Sequence, residues 1–437
     1  MKQIKGALVL IVALTATFPL MFWIPSIEAI SIFCMFIWFV LNAFDKPRMH
    51  NRTNAVYYFF SMVFLAYISL VPYLAGNSTI GNRYLNLFAI PFFYIVYKEN
   101  TDRSNFKLNI KVVIMIISLS AITFIKTVIE ILNNPYIIRT IKSSGSYTLN
   151  TLREGIGGYS FLYFFIFVGI ISFGILTGLK QFGGFRNKRV IKFILFIIIV
   201  SSIVLAILSN YLTAIFLMLL GIIPVFIVGL FKFKSKRIII CTLLALPILL
   251  MVWKKIASVV ISALINIIGE GYTSERLSVF NDYFLYGSEL VSITEDRNSR
   301  MDLSIESFLN NPLFGLVTTK IEYSNGYLTG FGQHSYILDT FALFGLFIGL
   351  LNLYLLIYPF AVRIKRSNNI IRFLNIIILA LTLFFFFINN AVGSIGFAVY
   401  FMFPVLCDFL EKMMKKDELI VISKSKNENN PLSKRKI

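Results

Sequence analysis

Between Arg297 and Gly349 the chain gathers most of the residues that can carry chemistry. They are Arg300, the run Asn311-Pro312-Leu313-Phe314-Gly315, and the tetrad Gly332-Gln333-His334-Ser335, which opens a long apolar run. A guanidinium grips phosphate oxygens through parallel N–H donors, and an imidazole of pKa about 6.5 exchanges a proton near neutrality. The whole chain has only 2 histidines, His334 and His50. Arg153 is a second basic residue at the start of an apolar run, followed by Gly155, Gly157 and Gly158. A cation beside flexible glycines at a helix mouth is a place where a charged ligand can be met.

The elements that must position these groups are membrane helices. The 437 residues are 57% hydrophobic and only 14% charged, too few polar side chains to cover a soluble globule. Apolar runs of about 20 residues, enough to cross roughly 30 Å of hydrocarbon, recur throughout. They fall near 6–24, 27–44, 55–75, 80–97, 112–132, 155–179, 190–208, 211–230, 238–253, 335–359, 372–390 and 392–410. The expectation is therefore an all-α, polytopic integral membrane protein with about twelve transmembrane helices.

Most of the 41 Lys and Arg fall in alternate connections, including Lys46, Arg48 and Arg52, then Lys98 to Lys111, then Lys180 to Lys192 and the tail from Lys412 to Lys436. By the positive-inside rule both termini are cytoplasmic, and the net charge of +20 is a topology signal with no need of nucleic acid. His50 then faces the cytoplasm and His334 the outside. The first span follows Lys2 and Lys5 without a small-residue cleavage site, so it reads as an anchor. Cys34, Cys241 and Cys407 are far apart in apolar runs, which excludes a disulfide framework or a zinc site.

Two outer connections are long, about 133–154 and 254–333, and the second is beyond the length at which a connecting loop is merely a connector. The chain divides into an N-terminal transmembrane bundle of about nine helices over 1–253 and a large, helical extracytoplasmic loop over 254–333. C-terminal transmembrane helices over 334–411 and a basic cytoplasmic tail over 412–437 complete it. Within the loop, Ile256 to Ile268 suits the membrane interface, and Ser299-Arg300-Met301-Asp302 reads as a capping box. It would open a short helix, ended by Asn311-Pro312, with Arg300 at its positive end. A phosphate there would meet the guanidinium and unbonded backbone N–H groups.

Arg300, the NPLFG run and the Gly332-Gln333-His334-Ser335 start of a helix that carries Gly345 ten residues on resemble the O-antigen polymerase and O-antigen ligase superfamily. The layout of many spans, and a large outer loop before a late span that begins with histidine, agrees over most of the chain. Arg153-Glu154-Gly155 with Gly157 and Gly158 is similar to an earlier arginine-and-glycine feature of that family. The sequence departs from it after the histidine, where Ile348 takes the place of a second small residue and Gly349 follows.

This resemblance implies a glycosyltransferase-C-like fold and an inverting, metal-independent enzyme with no cofactor. It would polymerise oligosaccharide repeats carried on undecaprenyl diphosphate, at the outer face of the bacterial cell (inner) membrane. Membrane lipid, a chain-length regulator and a flippase are the further partners implied. His334, Arg300 and Arg153 take the catalytic roles in that reading, and Arg276, Arg139, Arg83 and Arg297 bind substrate. The acceptor proton can go to His334, Glu154, Glu275, Asp302, Glu306, Glu322 or Asp339. Tyr272 to Tyr286 is the segment best suited to sugar contact, while most of the 45 Phe and 21 Tyr suit lipid.

Blander readings stand beside these. His334 can be only a hydrogen-bonded cap, Arg300 can pair with Asp302 or Glu306, and Arg276 with Glu275 or Asp282. Arg83 can anchor the interface, and Lys126 and Glu130, four apart on one span, suit a mutual ion pair. Transfer of finished polymer to an acceptor by a ligase is an alternative within the superfamily. A lipid-linked oligosaccharide flippase is another, although a transporter keeps polar groups at mid-membrane in matched halves, and no internal repeat is visible. A sensor or structural protein would need neither the arginines nor His334.

Overall fold

The structure is a computed structural model. It describes residues 2–44, 52–76, 85–102, 106–135, 137, 138, 141, 151–181, 189–209, 211–230, 291–319, 323, 324, 327, 328 and 330–412, with isolated stretches between 258 and 281. The expected span at 238–253 lies outside the described residues. So do Arg83, Arg139, Arg276, Glu322, His50, Cys241, the aromatic residues Tyr272, Tyr283, Phe284 and Tyr286, and the tail from 413.

The helices in order are α1 (Lys2–Thr17), α2 (Ile27–Phe44), α3 (Arg52–Leu74), α4 (Ala89–Asp102), α5 (Phe106–Asn133) and α6 (Tyr159–Gln181). They continue with α7 (Arg189–Leu208), α8 (Leu212–Leu230), α9 (Val291–Asn310), α10 (Tyr336–Arg366), α11 (Asn369–Ile388) and α12 (Val392–Lys412). The one described strand pairing is a two-residue hairpin, Tyr323–Ser324 against Tyr327–Leu328. Among the described residues 7 helices, α3, α5, α6, α7, α10, α11 and α12, are long and apolar enough to cross a membrane. Shorter apolar helices lie at Gln3–Thr17, Ile27–Asn42 and Thr213–Ile227. Runs such as the Val- and Ile-rich α7 become helices despite their β-branched side chains, because in hydrocarbon every backbone group must be satisfied within its own segment.

Burial separates central from peripheral helices. Phe92, Phe93 and Val96 of α4, Phe164 and Phe167 of α6, and Phe397 to Phe403 of α12 are buried almost completely. Phe33, Phe36, Phe59, Ile114, Ile125, Phe193 and Phe196 are exposed on α2, α3, α5 and α7, the surface a bilayer would cover. Close approach rests on small residues: a Cβ on Gly169 would meet the Ser202 side chain at 1.9 Å, and one on Gly221 the Ile170 side chain at 2.6 Å.

Three features interrupt α10 and α12. Pro359 inside α10 has no N–H for the carbonyl of Leu355, and that oxygen accepts instead from the Tyr57 hydroxyl at 3.1 Å. The neighbouring Leu356 carbonyl accepts from Tyr400 at 3.1 Å. Around Tyr400, residues Phe397–Met402 of α12 form a π-helical turn. The third feature is a break at Gly345, where φ 77° and ψ −174° leave the helical region altogether.

That break decides where the Gly332–Ser335 tetrad goes. A straight 31-residue helix is about 46 Å long, whereas the 20 residues of α11 rise about 30 Å. Yet the N–H of Tyr336 donates to the carbonyl of Asn389, just past α11, at 3.2 Å. The segment before Gly345 therefore turns aside, and Leu346 to Arg366 alone, about 31 Å, matches its partner. Asn311–Gly315 fills the gap: Leu346 N–H donates to the Pro312 carbonyl at 2.7 Å, and the Tyr67 hydroxyl donates to the Phe314 carbonyl at 3.1 Å. A Cβ on Gly315 would meet the Leu343 carbonyl at 2.2 Å, and one on Gly345 the Leu313 carbonyl at 2.2 Å. Both glycines have positive φ, 71° and 77°.

Candidate functional site

The polar residues sort to the two ends of the bundle, named here by His334 and Arg363. At the His334 end, Ser335 caps α10 in extended backbone, and its hydroxyl accepts from Leu338 N–H at 3.1 Å. The same hydroxyl lies 3.4 Å from the Phe386 carbonyl. Asp339 stands in the first turn, where the helix dipole favours a carboxylate, and is 2% exposed. Its Oδ1 accepts from the Ser304 hydroxyl at 2.7 Å, and Ser304 Oγ in turn accepts from Gly332 N–H at 2.8 Å. This relay ties α9 to the loop and to α10. Gln333, held between, adopts a left-handed φ of 57°, a conformation that costs a non-glycine residue about 1 kcal/mol.

Arg300 belongs to the same neighbourhood. Gly332 lies so close to α9 that a Cβ on it would meet the Arg300 carbonyl at 1.9 Å, so the arginine and the tetrad share one packed corner. The Arg300 side chain is exposed and His334 is half-buried. One expectation fails here: Arg300 lies in the middle of α9, because the helix begins at Val291 instead of at the Ser299 capping box. The stretch Val291 to Asn298 contains neither glycine nor proline, so nothing stops the helix from starting eight residues earlier. It ends before Asn311-Pro312, as the proline predicts. Arg297 also lies on α9.

The phosphate cradle expected from backbone N–H groups does not form at Arg300, since a mid-helix residue has its N–H engaged. At the start of α10, Tyr336, Leu338 and Asp339 N–H groups already donate to Asn389, to the Ser335 side chain and to the Ser335 carbonyl.

Arg153 is placed differently. Its Nε donates to the Phe22 carbonyl at 3.3 Å, its guanidinium lies 6.0 Å from the Trp23 ring, and its own carbonyl accepts from Trp23 Nε1. These partners come from the short helix Pro19–Trp23, which lies against it, so the cation beside the glycines is engaged within the chain. The expected Lys126–Glu130 ion pair is absent among the described residues. Lys126 reaches across to the Glu154 carbonyl at 3.0 Å, a backbone acceptor at a loop end that competes with a solvated carboxylate.

Asn389 joins the two glycine-bearing segments, and no sequence signal singled it out. Its side-chain Oδ1 accepts from the Tyr159 hydroxyl at the start of α6, and its backbone carbonyl accepts from Tyr336 at the start of α10. Tyr159 lies edge-on to Tyr163 and Tyr211, and Ser394 donates to the Ser160 carbonyl at 3.0 Å. Asn389 Nδ2 and Asp339 Oδ2 are buried without a hydrogen-bond partner. Gly349, which follows Ile348, makes room for the Phe341 ring, which a Cβ would meet at 2.4 Å.

At the Arg363 end the polar groups close on one another. Arg363 Nη1 donates to Asp408 Oδ1 at 3.0 Å and to the Tyr97 hydroxyl at 2.6 Å, and that hydroxyl donates to Asp408 Oδ2 at 2.7 Å. Nearby, Tyr58 donates to Glu99 at 2.6 Å. Compared with protein-family models and with curated proteins, the chain matches none.

Proposed function

We propose that this chain is a membrane glycosyltransferase that polymerises oligosaccharide repeat units carried on undecaprenyl diphosphate, at the outer face of the bacterial cytoplasmic membrane. In this reading the bundle crosses the membrane about twelve times in a glycosyltransferase-C-like arrangement with both termini cytoplasmic, and the product is a surface polysaccharide. The observation that supports the proposal is the packing of Gly332 against the Arg300 backbone carbonyl, which brings the stretch of α9 that carries this exposed cation next to the loop that carries the half-buried His334.

The chemistry is a single displacement. Arg300 binds the diphosphate of the donor, its planar fork meeting two phosphate oxygens. An acceptor sugar hydroxyl attacks the anomeric carbon from the face opposite the diphosphate. The new C–O bond forms as the anomeric C–O bond to phosphate breaks, the electron pair leaves with the diphosphate, and His334 takes the hydroxyl proton. Attack opposite the leaving group inverts the anomeric centre. A guanidinium that meets the growing charge on the departing diphosphate stabilises the transition state more than the ground state. Arg153, bound to Phe22 and Trp23, orients the neighbouring loop, and lipid covers the exposed aromatic belt.

Replacing His334 by alanine is expected to lower polymer formation about a hundredfold or more while the protein remains in the membrane at its normal level. The measurement is the size distribution of surface polysaccharide in cells that carry the variant. Single capped repeats are the expected outcome. Long polymer retained in His334→Ala cells, polymer stranded on its lipid carrier, or precursor trapped in the cytoplasm would each overturn the proposal, the last two in favour of a ligase or a flippase.

A further inference from the structure

The turn Asn311–Gly315 joins α9 to the loop before α10, yet it lies well inside the length of the spans beside it. Two hydroxyls of α3 mark the depth: Tyr57 donates to the Leu355 carbonyl of α10 at 3.1 Å, and Tyr67 donates to the Phe314 carbonyl of the turn at 3.1 Å. Ala55–Leu74 of α3 is a candidate span, and Tyr67 falls about 10 Å short of its Leu74 end at about 1.5 Å per residue. Helical side chains lean toward the N-terminus, which carries the Tyr67 ring further from that end. α10 gives the upper limit. Leu346, whose N–H donates to the Pro312 carbonyl at 2.7 Å, begins the segment of about 31 Å that ends at Arg366. The turn therefore lies between the edge of the hydrocarbon layer and about 10 Å inside it.

At that depth its side chains face outward and are apolar: Leu313 is 51% and Phe314 56% exposed. Leu70 and Leu74, on the face of α3 that carries Tyr67, extend this apolar surface to the end of the span, and Phe347 and Leu350 are exposed on α10 just after the break. α9 enters the turn with its polarity reversed, since Ser304 and Ser307 are buried while Ile305 and Leu309 are exposed. The backbone is answered as hydrocarbon requires. Pro312 brings no N–H, the Asn311 carbonyl accepts from Gly315 N–H at 3.0 Å, and the Pro312 and Phe314 carbonyls accept from the two spans. A turn in water would take these bonds from solvent.

We propose that Leu309–Phe314 is a re-entrant wedge whose partner is the acyl-chain layer of the bilayer, entered from the His334 end of the bundle. The connection 254–333, expected to lie wholly outside the membrane, then dips into it near its end. Asp302 and Glu306, exposed one turn apart on α9, stay at headgroup level while Ile305 and Leu309 meet the chains, the division of an interfacial helix. The inference rests on α3 and α10 crossing the membrane and is independent of the reaction proposed above.

The test uses the wild-type full chain in nanodiscs of phosphatidylcholine that carries a diazirine on the part of the acyl chain next to the glycerol. After illumination, adducts are located by mass spectrometry. Leu309–Phe314 is expected to carry them at a yield within about twofold of Phe347–Leu350, whereas Asp302–Glu306 takes adducts mainly from a water-soluble diazirine. Absence of lipid adducts from Leu309–Phe314 would overturn the proposal, whatever Phe347–Leu350 shows. Labelling of the turn by the soluble reagent would then place it in water, and labelling by neither would place it beneath another segment or a second copy of the chain. A second measurement reads one thiol. Phe314→Cys, on a chain with Cys34, Cys241 and Cys407 replaced by alanine, should react with a membrane-impermeant maleimide at least about tenfold more slowly than Asp302→Cys in the same nanodiscs. Equal rates would likewise overturn the proposal.

Discussion

The two ends of the bundle solve the burial of polar groups in opposite ways. At the Arg363 end, charged side chains answer one another: a guanidinium, a carboxylate and a phenol form a closed set, the first two 12% and 17% exposed. At the His334 end, backbone geometry does the positioning. A helix broken at Gly345, a left-handed Gln333 and a serine cap bring the loop to Asn389, while Asp339 Oδ2 and Asn389 Nδ2 keep bonding capacity in reserve. A closed charge set stabilises one arrangement, and of its guanidinium only the buried Nε of Arg363 lacks a hydrogen-bond partner. At the other corner backbone geometry fixes the arrangement, and on that difference we propose the reaction for the His334 end.

The sharpest way to break the comparison is to give the backbone-held end a side chain it has no room for. Gly345→Ala places a Cβ against the Leu313 carbonyl in a conformation that is essentially glycine-only, and is expected to destabilise the protein by at least about 4 kcal/mol. Thermal unfolding in a fixed detergent measures it, and a change under about 1 kcal/mol would mean the break is not structural. The charge-held end should respond next. Asp408→Ala strands a buried guanidinium and is expected to cost about 3 kcal/mol, whereas Arg363→Met with Asp408→Leu should leave unfolding within about 1 kcal/mol of wild type. A double variant as damaged as the single would show that packing, not charge pairing, holds that end. The smallest effect is expected from Tyr159→Phe, which removes one hydrogen bond to Asn389 at a cost of about 1 kcal/mol.

Much of the helix layout was legible because hydropathy is a local property. The expected spans at 112–132 and 190–208 lie inside α5 and α7, that at 372–390 overruns the end of α11 by two residues, and the Asn311-Pro312 stop falls where α9 ends. The start of α9 was misplaced because Ser299 and Asp302 have the spacing of a cap, yet the residues before them are equally willing to be helical. Lys126 and Glu130 were paired by helical spacing, while the nearer acceptor, the Glu154 carbonyl, belongs to a loop 28 residues away. Asn389 had no signature at all. One of two adjacent amides between two apolar runs gains its role only when the starts of α6 and α10 arrive on either side of it.

By itself the sequence determined that the chain is a bundle of apolar helices, where most of them run, and which few polar residues lie outside the apolar runs. Burying hydrocarbon and satisfying each helix's own backbone are decided within a segment, so composition and spacing suffice. Tertiary structure alone decided that Asn311–Gly315 inserts beside Gly345, that Arg300 lies under Gly332, and that Arg153 turns to Phe22 and Trp23. Those outcomes depend on which backbone acceptors and which gaps come within a few ångströms of one another, a competition among distant segments that no local pattern encodes.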